Sequence, residues 1–74
     1  MIKNSPLKNR TTVNFTTKGY EALSNVMELS GENQTDAINR ALVIYEILHQ
    51  IQLNGGAIYV REGHDGELER WKII

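Results

Sequence analysis

The stretch that decides the fold is "RTTVNFTT", residues 10–17. It alternates with the period of a β-strand, in which successive side chains point to opposite faces. One face is suited to a core and is formed by Thr11, Val13 and Phe15. The other face carries hydrogen-bonding groups and one positive charge, from Arg10, Thr12 and Asn14. No second strand lies close by in the sequence, so the partner of this strand has to come from elsewhere.

Length and composition narrow the class of protein. The chain has 74 residues, which is one small domain, and chains this short often need oligomerisation to bury enough surface. It has no cysteine, which excludes disulfides and thiolate metal ligands and fits a reducing compartment. No apolar run approaches the roughly 18 to 20 residues of a membrane span, and the start lacks the apolar core of a signal peptide. We expect a soluble cytoplasmic protein that does not bind membranes.

The charge is unevenly distributed. The first 20 residues contain Lys3, Lys8, Arg10 and Lys18 but no acidic residue, although the net charge is -1 and the isoelectric point is about 6.1. A basic segment on a near-neutral body is the electrostatic footprint that nucleic-acid binding requires. A solvated basic tail explains the charges equally well.

Two helices are expected after the strand. Residues 1–9 form an arm, the strand covers about 10–16, and Thr16 or Thr17 caps a first, amphipathic helix that runs to about Ser30 and ends at Gly31. Asn33 then caps a second helix, with Asp36 in its first turn, that extends to about Gln52.

The apolar face of the second helix is unusually wide. It spans roughly 200° at 100° per residue, more than the stripe of an ordinary surface helix. The face is formed by Ala37, Ile38, Ala41, Leu42, Ile44, Tyr45, Leu48 and Ile51. A second copy of the chain is the economical cover for this surface, and the C-terminal segment is the alternative cover.

The C-terminal segment has the pattern of a β-hairpin. "NGG", residues 54–56, breaks the helix, and two β-rich runs then flank "GHDG", residues 63–66. A three-residue loop from His64 to Gly66, with Gly66 in the left-handed conformation, predicts Tyr59 opposite Trp71 and Arg61 opposite Glu69. A two-residue loop would instead place Arg61 against Arg70.

The order strand, helix, glycine-containing turn, helix resembles the ribbon-helix-helix family, the Arc- and MetJ-type DNA-binding proteins. Residues 10–45 carry the resemblance without a gap, in "RTTVNFT", "YEAL" and "GENQTDAINRAL". The motifs are short, and the resemblance covers about half of the chain. Glu32 departs from the pattern, since the family often has an apolar residue after the turn glycine. Gly19 also departs, because glycine early in a helix costs about 1 kcal/mol relative to alanine.

The resemblance implies a fold and a set of site residues. The fold class is ribbon-helix-helix, mainly α with order β-α-α: an intertwined homodimer in which an intermolecular antiparallel β-ribbon lies in the DNA major groove, followed here by a C-terminal β-hairpin. The domains would be a basic arm, a DNA-binding domain and a hairpin extension, at residues 1–9, 10–54 and 55–74. The DNA base contacts would be Arg10, Thr12 and Asn14. The phosphate contacts would be Lys3, Lys8, Asn33, Gln34 and Thr35. The dimer core would be Val13, Phe15, Leu23, Met27, Ile38, Ala41, Leu42 and Tyr45.

The function implied is a sequence-specific transcriptional regulator, a repressor, that binds double-stranded DNA at an inverted repeat. Higher-order assembly on adjacent operators stays open, as does the alternative of an antitoxin or adaptor whose hairpin binds a partner protein. We do not expect the protein to be an enzyme or to bind a cofactor. The carboxylates that might suggest acid-base chemistry, Asp65, Glu67 and Glu69, lie around an exposed hairpin with no nucleophile in view. We expect no metal, because His49 and His64 are too few and too distant in sequence.

Overall fold

The fold consists of two helices followed by a two-stranded sheet. The computed structural model describes residues 9–72. The elements in chain order are α1 (Thr17–Ser30), α2 (Gln34–Leu53), β1 (Ile58–Arg61) and β2 (Leu68–Trp71). The chain divides into two compact units, Met1–Ala41 and Leu42–Ile74, and α2 contributes residues to both. The expected helices and hairpin are therefore present. Two of the expected phosphate contacts, Lys3 and Lys8, lie outside the described residues.

Local hydrogen bonds set both ends of α1. The residue before the helix, Thr16, is extended at φ -68° and ψ 161°, and its hydroxyl accepts a 2.9 Å hydrogen bond from the backbone N–H of Gly19. The residue after the helix, Gly31, has φ 76° and donates its N–H to the carbonyl oxygen of Met27 at 2.9 Å. Glycine adopts that left-handed conformation without steric cost. Both predicted ends of α1 are confirmed, with Thr16 as the cap.

The ends of α2 follow the same logic. The Asn33 side-chain oxygen accepts a 2.8 Å hydrogen bond from the backbone N–H of Asp36, which confirms the predicted cap. At the other end Gly55 has φ 80°, and the N–H of Gly56 reaches back to the carbonyl of Ile51 at 2.8 Å. A Cβ at Gly56 would lie 2.8 Å from that same carbonyl oxygen, so two consecutive glycines are needed for this reversal.

The hairpin forms, but its predicted register is wrong. The observed antiparallel pairs are Ile58 with Trp71, Tyr59 with Arg70, Val60 with Glu69, and Arg61 with Leu68. The predicted pairs, Tyr59 with Trp71 and Arg61 with Glu69, are not formed, and neither is the alternative pair of Arg61 with Arg70. The strands are joined by residues 62–67 rather than by a loop of three residues or two.

The physical reason for the error is the role of Gly66. We expected it to supply a left-handed conformation, but the glycine with positive φ in this loop is Gly63, at φ 73°. Gly66 is needed for space, because a Cβ there would collide with the carbonyl oxygen of Glu62. Since side chains alternate across a strand, the one-residue difference in register moves Tyr59 and Trp71 to opposite faces of the hairpin.

Little of the described chain is buried. Among residues 9–72 only Leu23 of α1 and Ala37 of α2 are buried, and both belong to the first unit. In the second unit most apolar residues of α2, among them Leu42, Tyr45 and Ile51, are exposed, and Leu48 is half-buried. Within the described part of the second unit, the C-terminal segment therefore leaves most of the apolar face of α2 uncovered. Neither described helix combines the length and apolar character needed to cross a membrane.

Candidate nucleic-acid interface

The segment expected to read DNA lies just before α1. Residues 9–16 are neither helical nor paired with another strand in the described chain. The side chains expected to contact bases, Arg10, Thr12 and Asn14, are all exposed. The two apolar residues between them, Val13 and Phe15, are exposed as well. Both faces of the segment are therefore open, and its role as a ribbon strand stays a prediction.

The end of this segment is tied to the first turn of α1. The ring of Phe15 meets the ring of Tyr20 edge to face, with centroids 6.1 Å apart and an interplanar angle of 69°. The neighbouring Thr16 holds the N–H of Gly19, and a Cβ at Gly19 would lie only 3.1 Å from the Thr16 hydroxyl. The glycine that looked unfavourable from helix propensity thus leaves room for the capping hydroxyl. These contacts hold the last two residues of the segment against the first turn of α1.

The start of α2 offers donors for an anion. The Asn33 side chain satisfies the N–H of Asp36, and the Asn33 carbonyl accepts from Ala37 at 3.0 Å. The backbone N–H groups of Gln34 and Thr35 form no hydrogen bond within the described residues, and both residues are exposed. Free N–H groups and the positive end of the helix dipole together make a site suited to phosphate. The structure thus leaves the two amides without a hydrogen-bond partner among residues 9–72, and phosphate binding stays a prediction.

Two carboxylates lie near this helix end. Glu32, the departure from the family pattern, places Oε2 at 3.3 Å from Nε of Arg40, and its side chain is only 20% exposed. An ion pair of this kind is worth no more than about 1 kcal/mol, but it partly neutralises the charge of Glu32. The half-buried Asp36 stands in the first turn of α2 itself. Asp36 is thus the carboxylate that competes most directly with a bound phosphate.

Sequence reasoning missed the Glu32–Arg40 pair. The two residues are separated by the turn and by two turns of α2, so their spacing does not match the three- or four-residue separation of pairs within a helix. It also missed a hydrogen bond from the Asn39 side chain to the carbonyl of Thr35, at 2.7 Å. That contact does have the four-residue spacing and was open to recognition.

The residues expected in the dimer core are exposed to different degrees. One of them, Leu23, is buried, and Met27 and Ile38 are half-buried. The others are exposed: Val13, Phe15, Ala41, Leu42 and Tyr45. Exposure of these five apolar side chains to water is unfavourable unless another surface covers them.

The two histidines lie in different elements of the structure, one in α2 and one in the hairpin loop. The ring of His49 meets the ring of Tyr45 edge to face, with centroids 4.7 Å apart. His64 lies exposed in the hairpin loop. Within the part of the chain that the structure describes, no three residues of the metal-binding types come together.

Comparison of the chain with protein-family models, with curated proteins and with solved structures found no match.

Proposed function

We propose that the chain is a homodimeric, sequence-specific DNA-binding regulator of the ribbon-helix-helix type, and that it acts in the cytoplasm as a transcriptional repressor at an inverted-repeat operator. The observation that carries the proposal is the state of residues 10–16. They alternate like a strand, they lead directly into the capped start of α1, and their apolar residues Val13 and Phe15 are exposed.

Pairing with the same segment of a second copy would satisfy the backbone of this strand and cover its apolar face. It supplies partners for the backbone N–H and C=O groups, which must be satisfied wherever they leave water. It also covers the apolar face. The opposite face then points outward with chemistry that reads bases, because arginine binds guanine O6 and N7 and asparagine binds adenine N6 and N7. Arg10 and Asn14 would provide these contacts, and Thr12 would donate, accept or touch the thymine methyl.

Phosphate contacts would position the ribbon. The free N–H groups of Gln34 and Thr35 are suited to one backbone phosphate of the DNA, with Asn33 as the cap beside them. Lys3 and Lys8 of the basic arm would neutralise further phosphates without reading sequence. The proposal requires no catalysis, cofactor or metal.

The deciding experiment is selection of bound sites from random-sequence DNA, followed by sequencing. The proposal predicts enrichment of an inverted repeat, because two symmetric copies present the same side chains twice. Asn14→Ala should cost about 1 to 3 kcal/mol at the preferred site and relax the preference at one base pair of each half-site. Asn25→Ala, at an exposed asparagine on α1, is the matched control and should change neither. Absence of any enriched sequence would contradict the proposal.

The hairpin supports a second candidate function. Tyr59 and Trp71 are both exposed there, and aromatic residues of this kind are common anchors of protein interfaces. An antitoxin or adaptor that binds a partner protein through the hairpin would use them. In this candidate DNA binding is secondary or absent, so a DNA selection that enriches nothing would favour it.

A further inference from the structure

The hairpin has two open edges. Within residues 9–72 the sheet consists of β1 and β2, so in that part of the chain each strand pairs on one side. A two-stranded hairpin is marginally stable at best, and an open edge is a template for another strand. The two edges differ in whether their sequences permit pairing with a copy of themselves.

The outer edge of β2 is protected by charge. When two identical antiparallel strands pair symmetrically, one residue lies directly opposite the same residue of the copy, and the two-fold axis runs between them. We call this an axis through that residue. An axis through Glu69 or Arg70 opposes like charges directly. An axis through Leu68 opposes two glutamates, and an axis through Trp71 opposes Arg70 to a lysine. Like charges directly opposite each other are destabilising, so every symmetric register of β2 is disfavoured.

The outer edge of β1 has no such protection. With the axis through Tyr59, Ile58 faces Val60 of the copy and Ala57 faces Arg61, so that no like charges meet. Ile58 and Val60 lie on one face and are both half-buried, and the pairing would bring four aliphatic side chains together on that face. Pairs of β-branched residues of this kind are favourable across strands.

We propose that β1 pairs antiparallel with β1 of a second copy of the chain, about a two-fold axis at Tyr59. The product is a four-stranded sheet in the order β2-β1-β1-β2, with the charged strands outside. The interface is separate from residues 10–16 and does not depend on DNA binding. The chain then carries two segments that pair with their own copies.

A single introduced cysteine tests the register, because the natural chain has none. Opposed residues of an antiparallel pair have Cα atoms about 4.5 to 5.5 Å apart, which a disulfide spans. Tyr59→Cys in the full chain should therefore form a covalent dimer in a glutathione redox buffer. Leu68→Cys is the matched control, since Leu68 lies on the same face and is 57% exposed against 54% for Tyr59, but belongs to β2. Crosslinking should be roughly tenfold faster or more for Tyr59→Cys; equal rates would overturn the proposal.

A charge variant tests the same edge without a covalent bond. Tyr59→Glu faces Arg70 within the hairpin, but it opposes two carboxylates on the proposed axis. Leu68→Glu faces Arg61 within the hairpin and leaves the edge of β1 unchanged. In sedimentation velocity only Tyr59→Glu should lose the assembly step that the β1 interface adds, while any dimer held by residues 10–16 remains. Trp71 fluorescence confirms that the hairpin is intact in both variants. Unchanged association of Tyr59→Glu would overturn the interface.

These results are independent of the proposed function. A chain that selects no DNA sequence but crosslinks through position 59 would refute the regulator and leave the β1 interface standing. A chain that selects an inverted repeat but does not crosslink through position 59 would refute the β1 interface and leave the regulator standing.

Discussion

Phe15→Ala tests whether a second copy covers the segment before α1. Phe15 is 41% exposed in the single chain, and a phenylalanine offers roughly 200 Å² of surface, so about 80 Å² per ring would be buried on pairing. At about 25 cal/mol per Å² this is ~2 kcal/mol per subunit and ~4 kcal/mol per dimer. Each 1.4 kcal/mol changes a dissociation constant tenfold, so the dissociation constant of the dimer should rise by a factor of about 10³.

Sedimentation equilibrium over a range of concentrations measures this change. The wild-type unfolding midpoint should also rise with chain concentration, because only the dimer completes the core. Leu29→Ala is the control, since Leu29 is an apolar residue of α1 that is 88% exposed and lies outside the predicted dimer core. Phe15→Ala also removes the edge-to-face contact with Tyr20 within one chain, which is worth about 1 kcal/mol and is a separate effect on the stability of each chain. A wild-type chain that is a well-folded monomer at micromolar concentration would refute the reasoning.

Three further substitutions or deletions test other parts of the structure. Thr16→Val removes the acceptor for the N–H of Gly19 and should lower the free energy of unfolding by about 1 kcal/mol in thermal melts; Thr17→Val, one residue into the helix, should cost less, and equal losses would exclude the cap. Asp36→Asn should destabilise α2 by about 0.3 to 1 kcal/mol yet strengthen binding to all DNA sequences, so unchanged affinity in a titration would argue against a phosphate at this helix end. A chain ending at Asn54 should still dimerise and bind a single operator while losing stability or cooperative binding to adjacent sites, and failure of that chain to fold would show that the hairpin belongs to the core.

The helix ends were predictable from sequence because the interactions that set them are local. Thr16 and Asn33 each accept a hydrogen bond from an N–H three residues ahead, and Gly31 closes α1 on a carbonyl four residues back. Such contacts depend on a few neighbouring residues and not on the rest of the fold. For this reason the limits of both helices agree with the sequence prediction to within a residue or so.

The hairpin register was not predictable in the same way. Cross-strand pair preferences differ by less than about 1 kcal/mol, so several loops were compatible with favourable pairs. The observed loop uses Gly66 for space, because a Cβ there would collide with the Glu62 carbonyl, and residue spacing alone does not reveal this close approach. The Glu32–Arg40 ion pair was not predictable for a similar reason, because the spacing of the two residues does not show that the turn brings them together.

In the proposed ribbon, the residue that lies at the two-fold axis decides where each base-contacting side chain stands on the operator. In the proposed ribbon an axis through Val13 makes Thr11 face Phe15 of the copy, which keeps the apolar face self-contained, whereas an axis through Thr12 would set Phe15 against Asn9. With the axis at Val13, Asn14 lies beside the two-fold and Arg10 lies at the outer ends of the ribbon.

The two positions should therefore read different parts of the operator. Arg10→Ala should relax the preference, for guanine, at the outer base pairs of each half-site, and Asn14→Ala should relax the preference, for adenine, nearer the centre. Site selection with each variant and with wild type measures both changes directly. If Arg10→Ala relaxed only the central base pairs, the strand would pair in another register. If neither variant changed the selected sequence in a folded dimer, residues 10–16 would not be the reading element.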